Sequence, residues 1–187
     1  MSDDATQPLL QALVAKKPAI IQAWLGRTLQ TYPEHTSRFL LQEKDPFRNP
    51  VGNTLKEAFP GLFDQLIGGT DATTITPLLD GIVRIRAVQD FTASQAVAFL
   101  FLLKKVVREA LDGELQRCPD GDSLAAVDGR IDEMALLAFD LFMKCRETIY
   151  EIKAKEARRR IYVLERMYGM EPSATACGPE IPLAPRP

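Results

Sequence analysis

Residues 123–168 read SLAAVDGRIDEMALLAFDLFMKCRETIYEIKAKEARRRIYVLERMY, with no proline and a serine at the head that suits a helix N-cap. Val127, Ile131, Met134, Ala138, Leu141, Cys145, Thr148 and Ile152 fall at alternating steps of four and three, the spacing of a heptad seam. The pattern predicts one helix from Ser123 to about Tyr168. Roughly 45 residues at about 1.5 Å each give about 65 Å, against about 40 Å for the width of a compact domain of this size. The helix is therefore expected to project from the body; a break near Lys153 is the alternative. The seam serves either the chain's own core or a second copy.

Upstream of this stretch, nearly every segment keeps the helical period. Thr6 is placed to cap a first helix, with Leu9, Leu10, Leu13 and Val14 on one face. Pro18 is read as opening a second, carrying Ile20, Ile21, Trp24, Leu25 and Leu29. A short helix through Phe39, Leu40 and Leu41 follows, then a polar loop to Pro50. Asn49-Pro50 looks like an N-cap with proline at the first helical position, ahead of Val51, Leu55 and Phe59. Pro60-Gly61 should bend or restart that helix and Gly68-Gly69 end it. Thr76-Pro77 is read as the start of the next. There, Ile82 to Val88 could pass for an alternating strand, but Leu78, Ile82 and Ile85 keep the 3.6-residue period and Asp80 stands four residues before Arg84. Thr92 caps a helix that is apolar on every side from Ala96 to Leu103, the expected centre of the molecule. Cys118-Pro119-Asp120-Gly121-Asp122 is a turn. Beyond Gly169 the chain is proline-rich and aperiodic, as an extended tail would be. The expected division is a domain over 1–152, a helical extension over 153–168 and a tail over 169–187.

The inventory removes several function classes. The 187 residues are 46% apolar and 26% charged with net charge −2, so the chain is globular and has no overall basic field for nucleic acid. The longest apolar run, Ala96 to Leu103, is far short of the roughly 20 residues that cross a bilayer, and the start Met1-Ser2-Asp3-Asp4 is unlike a signal peptide. Cys118, Cys145 and Cys177 form no C-x-x-C pair and read as reduced thiols in a soluble, cytoplasmic protein. The single histidine, His35, lies at an early helix start and cannot build a multi-histidine metal site. There is no G-x-S-x-G, P-loop or G-x-G-x-x-G. The expectation is a non-enzymatic protein with no cofactor and no metal.

Two segments resemble the N-terminal domain of the RsbR and RsbRD proteins, the RsbT co-antagonists of the bacterial stressosome. One is Asn49-Pro50-Val51-Gly52 continuing to Leu62-Phe63-Asp64. The other runs from Ile82-Val83-Arg84-Ile85-Arg86-Ala87-Val88-Gln89-Asp90-Phe91-Thr92, through Ser94-Gln95-Ala96, to Phe101-Leu102-Leu103-Lys104. The resemblance covers roughly residues 9 to 150. It implies an all-α, globin-like helical bundle, generally without haem, acting as a dimeric sensory or interaction module. In that family a helix leads on into a STAS domain. No STAS-like stretch follows here, so signalling through a phosphorylatable STAS threonine is not carried over, and a stand-alone module is expected.

Two groups of residues stand out as candidate sites. Arg86 falls between Leu79 and Ile82 on the apolar side of its helix, with Gln89 and Asp90 alongside. Burying an unpaired guanidinium costs several kcal/mol, so either it pairs internally, with Asp90 as the nearest carboxylate, or it serves a pocket for a small anionic ligand. The second group is distal. Lys153, Lys155, Arg158, Arg159 and Arg160 form a basic cluster, diluted by Glu151 and Glu156, and Ile161, Val163, Leu164, Met167 and Tyr168 follow as an apolar cluster. Arg158, Arg159, Ile161, Leu164 and Tyr168 are the expected contact residues for a second copy or another protein, since apolar groups at a helix tip need a partner. Cys177, in the tail, could be oxidisable.

Overall fold

A computed structural model describes residues 3–43, 45–69, 71–89, 91–117 and 121–168. They form six helices and no strand: α1 (Asp3–Leu29), α2 (Glu34–Gln42), α3 (Pro50–Gly68), α4 (Ala72–Val88), α5 (Ala93–Arg117) and α6 (Gly121–Met167). The all-α reading holds, including helix rather than strand for Ile82 to Val88. The chain divides into two compact units, Met1–Cys145 and Arg146–Pro187.

The first correction concerns α1. Two helices were expected, the second opening at Pro18, but one continuous helix starts at Asp3 and passes through both Pro8 and Pro18. Proline removes one backbone donor and crowds the carbonyl four residues back. Here Leu9, Leu13, Ile20 and Trp24 form a single buried stripe across Pro18, and their packing against α3 and α5 outweighs that local cost. Trp24 is the centre of the first unit. Its ring stacks on Phe59 at 3.6 Å between centroids and lies 6.1 Å from Phe99, and its Nε1 donates to the Phe99 carbonyl at 2.6 Å. One indole thus joins α1, α3 and α5 and leaves no buried polar atom of its own unsatisfied.

The junction of α2 and α3 rests on Asn49, a buried polar residue 2% exposed. Its Oδ1 accepts from Gly52 N at 2.8 Å, capping α3, while its Nδ2 donates to the carbonyls of Leu40 and Glu43 at 2.8 and 3.0 Å, closing α2. Gly52 is required by this arrangement: a Cβ there would lie 2.4 Å from Asn49 Nδ2. Helix α3 runs on through Pro60 and ends where Gly69 takes φ +106°, a conformation that favours glycine.

The start of α4 is the second correction. The helix begins at Ala72, not at Thr76-Pro77, because Asp71 provides a stronger cap. Its Oδ1 accepts from Thr73 N at 3.2 Å and its Oδ2 from the hydroxyls of Thr73 and Thr74, each at 2.6 Å. These bonds hold its carboxyl at about 2, below the usual carboxylate range. Helix α5 opens on a reciprocal cap, as Thr92 predicts: Thr92 N donates to Gln95 Oε1 at 3.0 Å and Gln95 N to Thr92 Oγ1 at 3.3 Å. Ala96, Val97, Phe99, Leu100 and Leu103 are buried, but Phe101 faces outward, with Lys104 Nζ 5.8 Å from its ring centre.

Helix α6 is unbroken at Lys153. Its expected seam changes character along the way. Val127, Ile131, Met134 and Ala138 are buried, Leu141 and Cys145 are half-buried, and Thr148 and Ile152 are exposed. The seam is therefore internal core over its first half. Arg130 fixes that half, donating to the carbonyls of Leu66 and Ile67 at the end of α3, at 2.8 and 3.1 Å. The turn at residues 118–120 and the tail from Gly169, with Cys177, lie outside the described residues.

Candidate functional site

Arg86 occupies a regular place in the buried stripe of α4, behind Ile75, Leu79, Ile82 and Val83, and is 1% exposed. Its Nη1 donates to the carbonyls of Gln95 and Ala96 at 3.0 and 3.3 Å, in the first turn of α5. Its guanidinium carbon lies 5.7, 5.2 and 5.1 Å from the ring centres of Tyr32, Phe91 and Phe99. Tyr32 and Phe91 meet edge to face at 5.3 Å. The cation is therefore held in a cage of three aromatic rings, drawn from the α1–α2 turn, the α4–α5 junction and α5.

The electrostatics follow from burial. Desolvation pulls Arg86 below its ordinary range, and the neighbouring Tyr32 hydroxyl opposes that shift. Tyr32 is pushed up by its own burial and pulled back by the guanidinium. Arg86 Nε and Nη2 have no hydrogen-bond partner among the described residues. The space beside them, lined by Tyr32, Thr54, Leu55, Ile82 and Ile85, is too narrow for a water molecule. Gln89 ends α4 in solvent, its backbone N–H donating to the Ile85 carbonyl at 3.1 Å. Asp90, the expected carboxylate, lies outside the described residues. Sequence reasoning named Arg86 but missed its cage, for which the aromatic positions near Arg86 in the quoted motif, Phe91 above all, were the available signal.

The other charges near α4 sort by face. Arg84 Nε donates to Asp80 at 2.6 Å on the outer side, as its spacing predicts. Cys145 lies near this pair, and burial pushes its thiol up. His35 is exposed in the first turn of α2, its Nε2 3.1 Å from Thr36 Oγ1. Among the described residues no group of three or more His, Cys, Asp or Glu is placed to hold a metal ion, and no helix is long and apolar enough to cross a membrane.

In the unit Arg146–Pro187, all five expected contact residues are exposed. Ile161, Leu164 and Tyr168 are 51%, 52% and 78% accessible, and Arg158 and Arg159 lie in solvent with them. Arg160 Nη2 donates to Glu156 one turn back at 2.6 Å. A shallow groove runs between Glu156, Arg159, Arg160, Val163 and Leu164. Tyr150 is exposed as well, with the Arg146 guanidinium 5.0 Å from its ring centre and Arg146 Nη2 donating to its hydroxyl at 2.8 Å.

These features define an all-α domain with a long C-terminal helix, a caged cation in its core and an apolar face near its described end. The chain belongs to the family of the RsbT co-antagonist protein rsbRD N-terminal domain, whose model matches residues 18–157. This is a stressosome-related family of sensory and regulatory domains. The match takes in Asn49, Gly52 and Arg86 and stops one residue before Arg158. Neither the curated proteins nor the solved structures give a significant match.

Proposed function

We propose that this chain is a non-catalytic, cytoplasmic regulatory module that homodimerises and passes its signal by protein contact. Membership of a stressosome-related regulatory family supports the regulatory role. The observation that carries the contact reading is the exposure of Ile161, Val163, Leu164, Met167 and Tyr168 together on one short stretch of helix. Exposed apolar groups clustered in this way mark interaction surfaces. Light scattering of the full chain over a concentration series tests the reading. A mass of twice 20.8 kDa is expected, and a monomer throughout the series overturns the homodimer.

A second reading, a small-anion sensor at Arg86, is favoured by the two guanidinium nitrogens, Nε and Nη2, without a partner among the described residues. The closed space beside them weighs against it. Thermal unfolding with acetate, nitrate, phosphate and chloride separates the two. Stabilisation by one of these anions that is lost in Arg86→Met supports the sensor. No response to any of them leaves Arg86 as a group that holds the fold.

A further inference from the structure

Tyr150, Ala154, Ala157, Ile161, Leu164 and Tyr168 recur at steps of four, three, four, three and four, and all six are exposed. That spacing lays them along one line of the helix, in the a and d positions of a heptad. Ala154, Ile161 and Tyr168 take the a positions, and Tyr150, Ala157 and Leu164 the d positions. The line differs from the seam of Val127 and Ile131, whose first half is buried in the core. Within a parallel coiled coil, isoleucine at a with leucine at d, as at Ile161 and Leu164, favours two strands over three or four.

The flanking charges fix the orientation. The g positions are Arg146, Lys153 and Arg160, and the e positions are Glu151, Arg158 and Glu165. In a parallel pair in register, each g residue meets the e residue five places further along in the second copy. Arg146 then faces Glu151, and Arg160 faces Glu165. Lys153 faces Arg158, the one like-charged pair of the three, beside the small core residues Ala154 and Ala157. An antiparallel pair would set g against g, three basic residues against three basic residues, and would be repelled. The existing bond from Arg160 to Glu156 is an exposed pair on one helix, weak enough to exchange.

We propose that two copies of this chain join along this line as a parallel, in-register, two-stranded coiled coil, its orientation set by the pairs Arg146–Glu151 and Arg160–Glu165. The proposal rests on the homodimer reading above and names its surface and direction. The family match ends at residue 157, so Ile161, Leu164 and Tyr168 lie beyond the matched residues.

Sedimentation equilibrium on the full chain tests it with charge swaps. Arg160→Glu alone sets Glu against Glu twice per dimer, and Glu165→Arg alone sets Arg against Arg twice. Each is expected to weaken self-association about tenfold or more. An equal mixture of the two variants restores both attractive pairs and should recover the affinity of the unaltered chain. Lys153→Glu removes the like-charged pair and should tighten it. Circular dichroism checks that every variant stays helical. If the variants associate as tightly as the parent, the dimer exists but uses another surface. If both weaken and the mixture does not recover, the parallel register is wrong. A parent that stays monomeric removes the homodimer reading itself.

Discussion

Arg86 and the run Arg158-Arg159-Arg160 place the same guanidinium group in opposite surroundings. Arg86 is 1% exposed, bonded to two carbonyls of α5 and enclosed by three rings. The distal arginines stand in solvent, and Arg160 pairs with Glu156 on its own helix. The difference teaches that a charge matters to a fold through what it would leave behind. Removing an exposed arginine returns little, because water already serves it. Removing Arg86 empties a packed site at the meeting of three elements.

The sharpest way to break this contrast is therefore Arg86→Ala, the largest expected effect. Truncation opens a cavity beneath Tyr32, Phe91 and Phe99 and should lower stability by about 3 kcal/mol or more. Arg86→Met keeps most of the volume without a charge to desolvate, so it should recover much of that loss. Arg159→Ala is the exposed control. Urea denaturation of the three proteins reads the contrast directly. An Arg86→Ala chain as stable as Arg159→Ala would mean that the cage holds nothing essential.

The motif residues near Asn49 sharpen the comparison for a neutral polar group. Asn49→Ala removes three hydrogen bonds from a buried junction and should cost about 2 kcal/mol. Gly52→Ala should cost a comparable amount, because its Cβ displaces the Asn49 side chain. In an Asn49→Ala background the same change meets no amide group, and the better helix propensity of alanine takes over. Its effect should shrink or reverse sign. Equal costs in both backgrounds, measured by a double-mutant cycle, would show that Gly52 acts through something other than the cap.

These motifs show where the sequence was legible and where it was not. Asn49-Pro50 and Thr92 carry local cap chemistry, which neighbours in sequence determine, so their elements were readable. Arg86 was placed on the apolar side because its spacing from Leu79 and Ile82 is local too. Its partners were harder: Tyr32 is distant in the chain, and only packing brings it near. Pro18 misled because local preference says that a helix opens there. The stripe from Leu9 to Trp24 overrides that preference by tertiary packing, which no local window weighs. The heptad seam of α6 was visible, but periodicity does not say what covers it. Val127 and Ile131 are core, while the outer line of Tyr150, Ala157 and Leu164 is exposed and, with alanines among its positions, makes a fainter pattern than the seam.

Asp71 offers the smallest and most selective test, because it is exposed like the distal arginines yet tied to backbone like Arg86. Burial contributes little to it; its carboxylate accepts from one backbone N–H and two hydroxyls at the head of α4. Those bonds favour the charged form and hold its pKa at about 2, against 3.8 for an unperturbed aspartate. A folded-state value below the unfolded one means that this stabilisation is fully present above about pH 4 and is lost as pH falls through about 2. Asp71→Asn keeps one accepting oxygen but cannot titrate. Its melting temperature should lie slightly below that of the parent at neutral pH, and the gap should close between about pH 4 and pH 2. If the Asp71→Asn gap stays constant with pH, the cap works through shape alone and its charge adds nothing. A closing gap would show that an exposed charge stabilises this fold when it completes the bonding of a helix end.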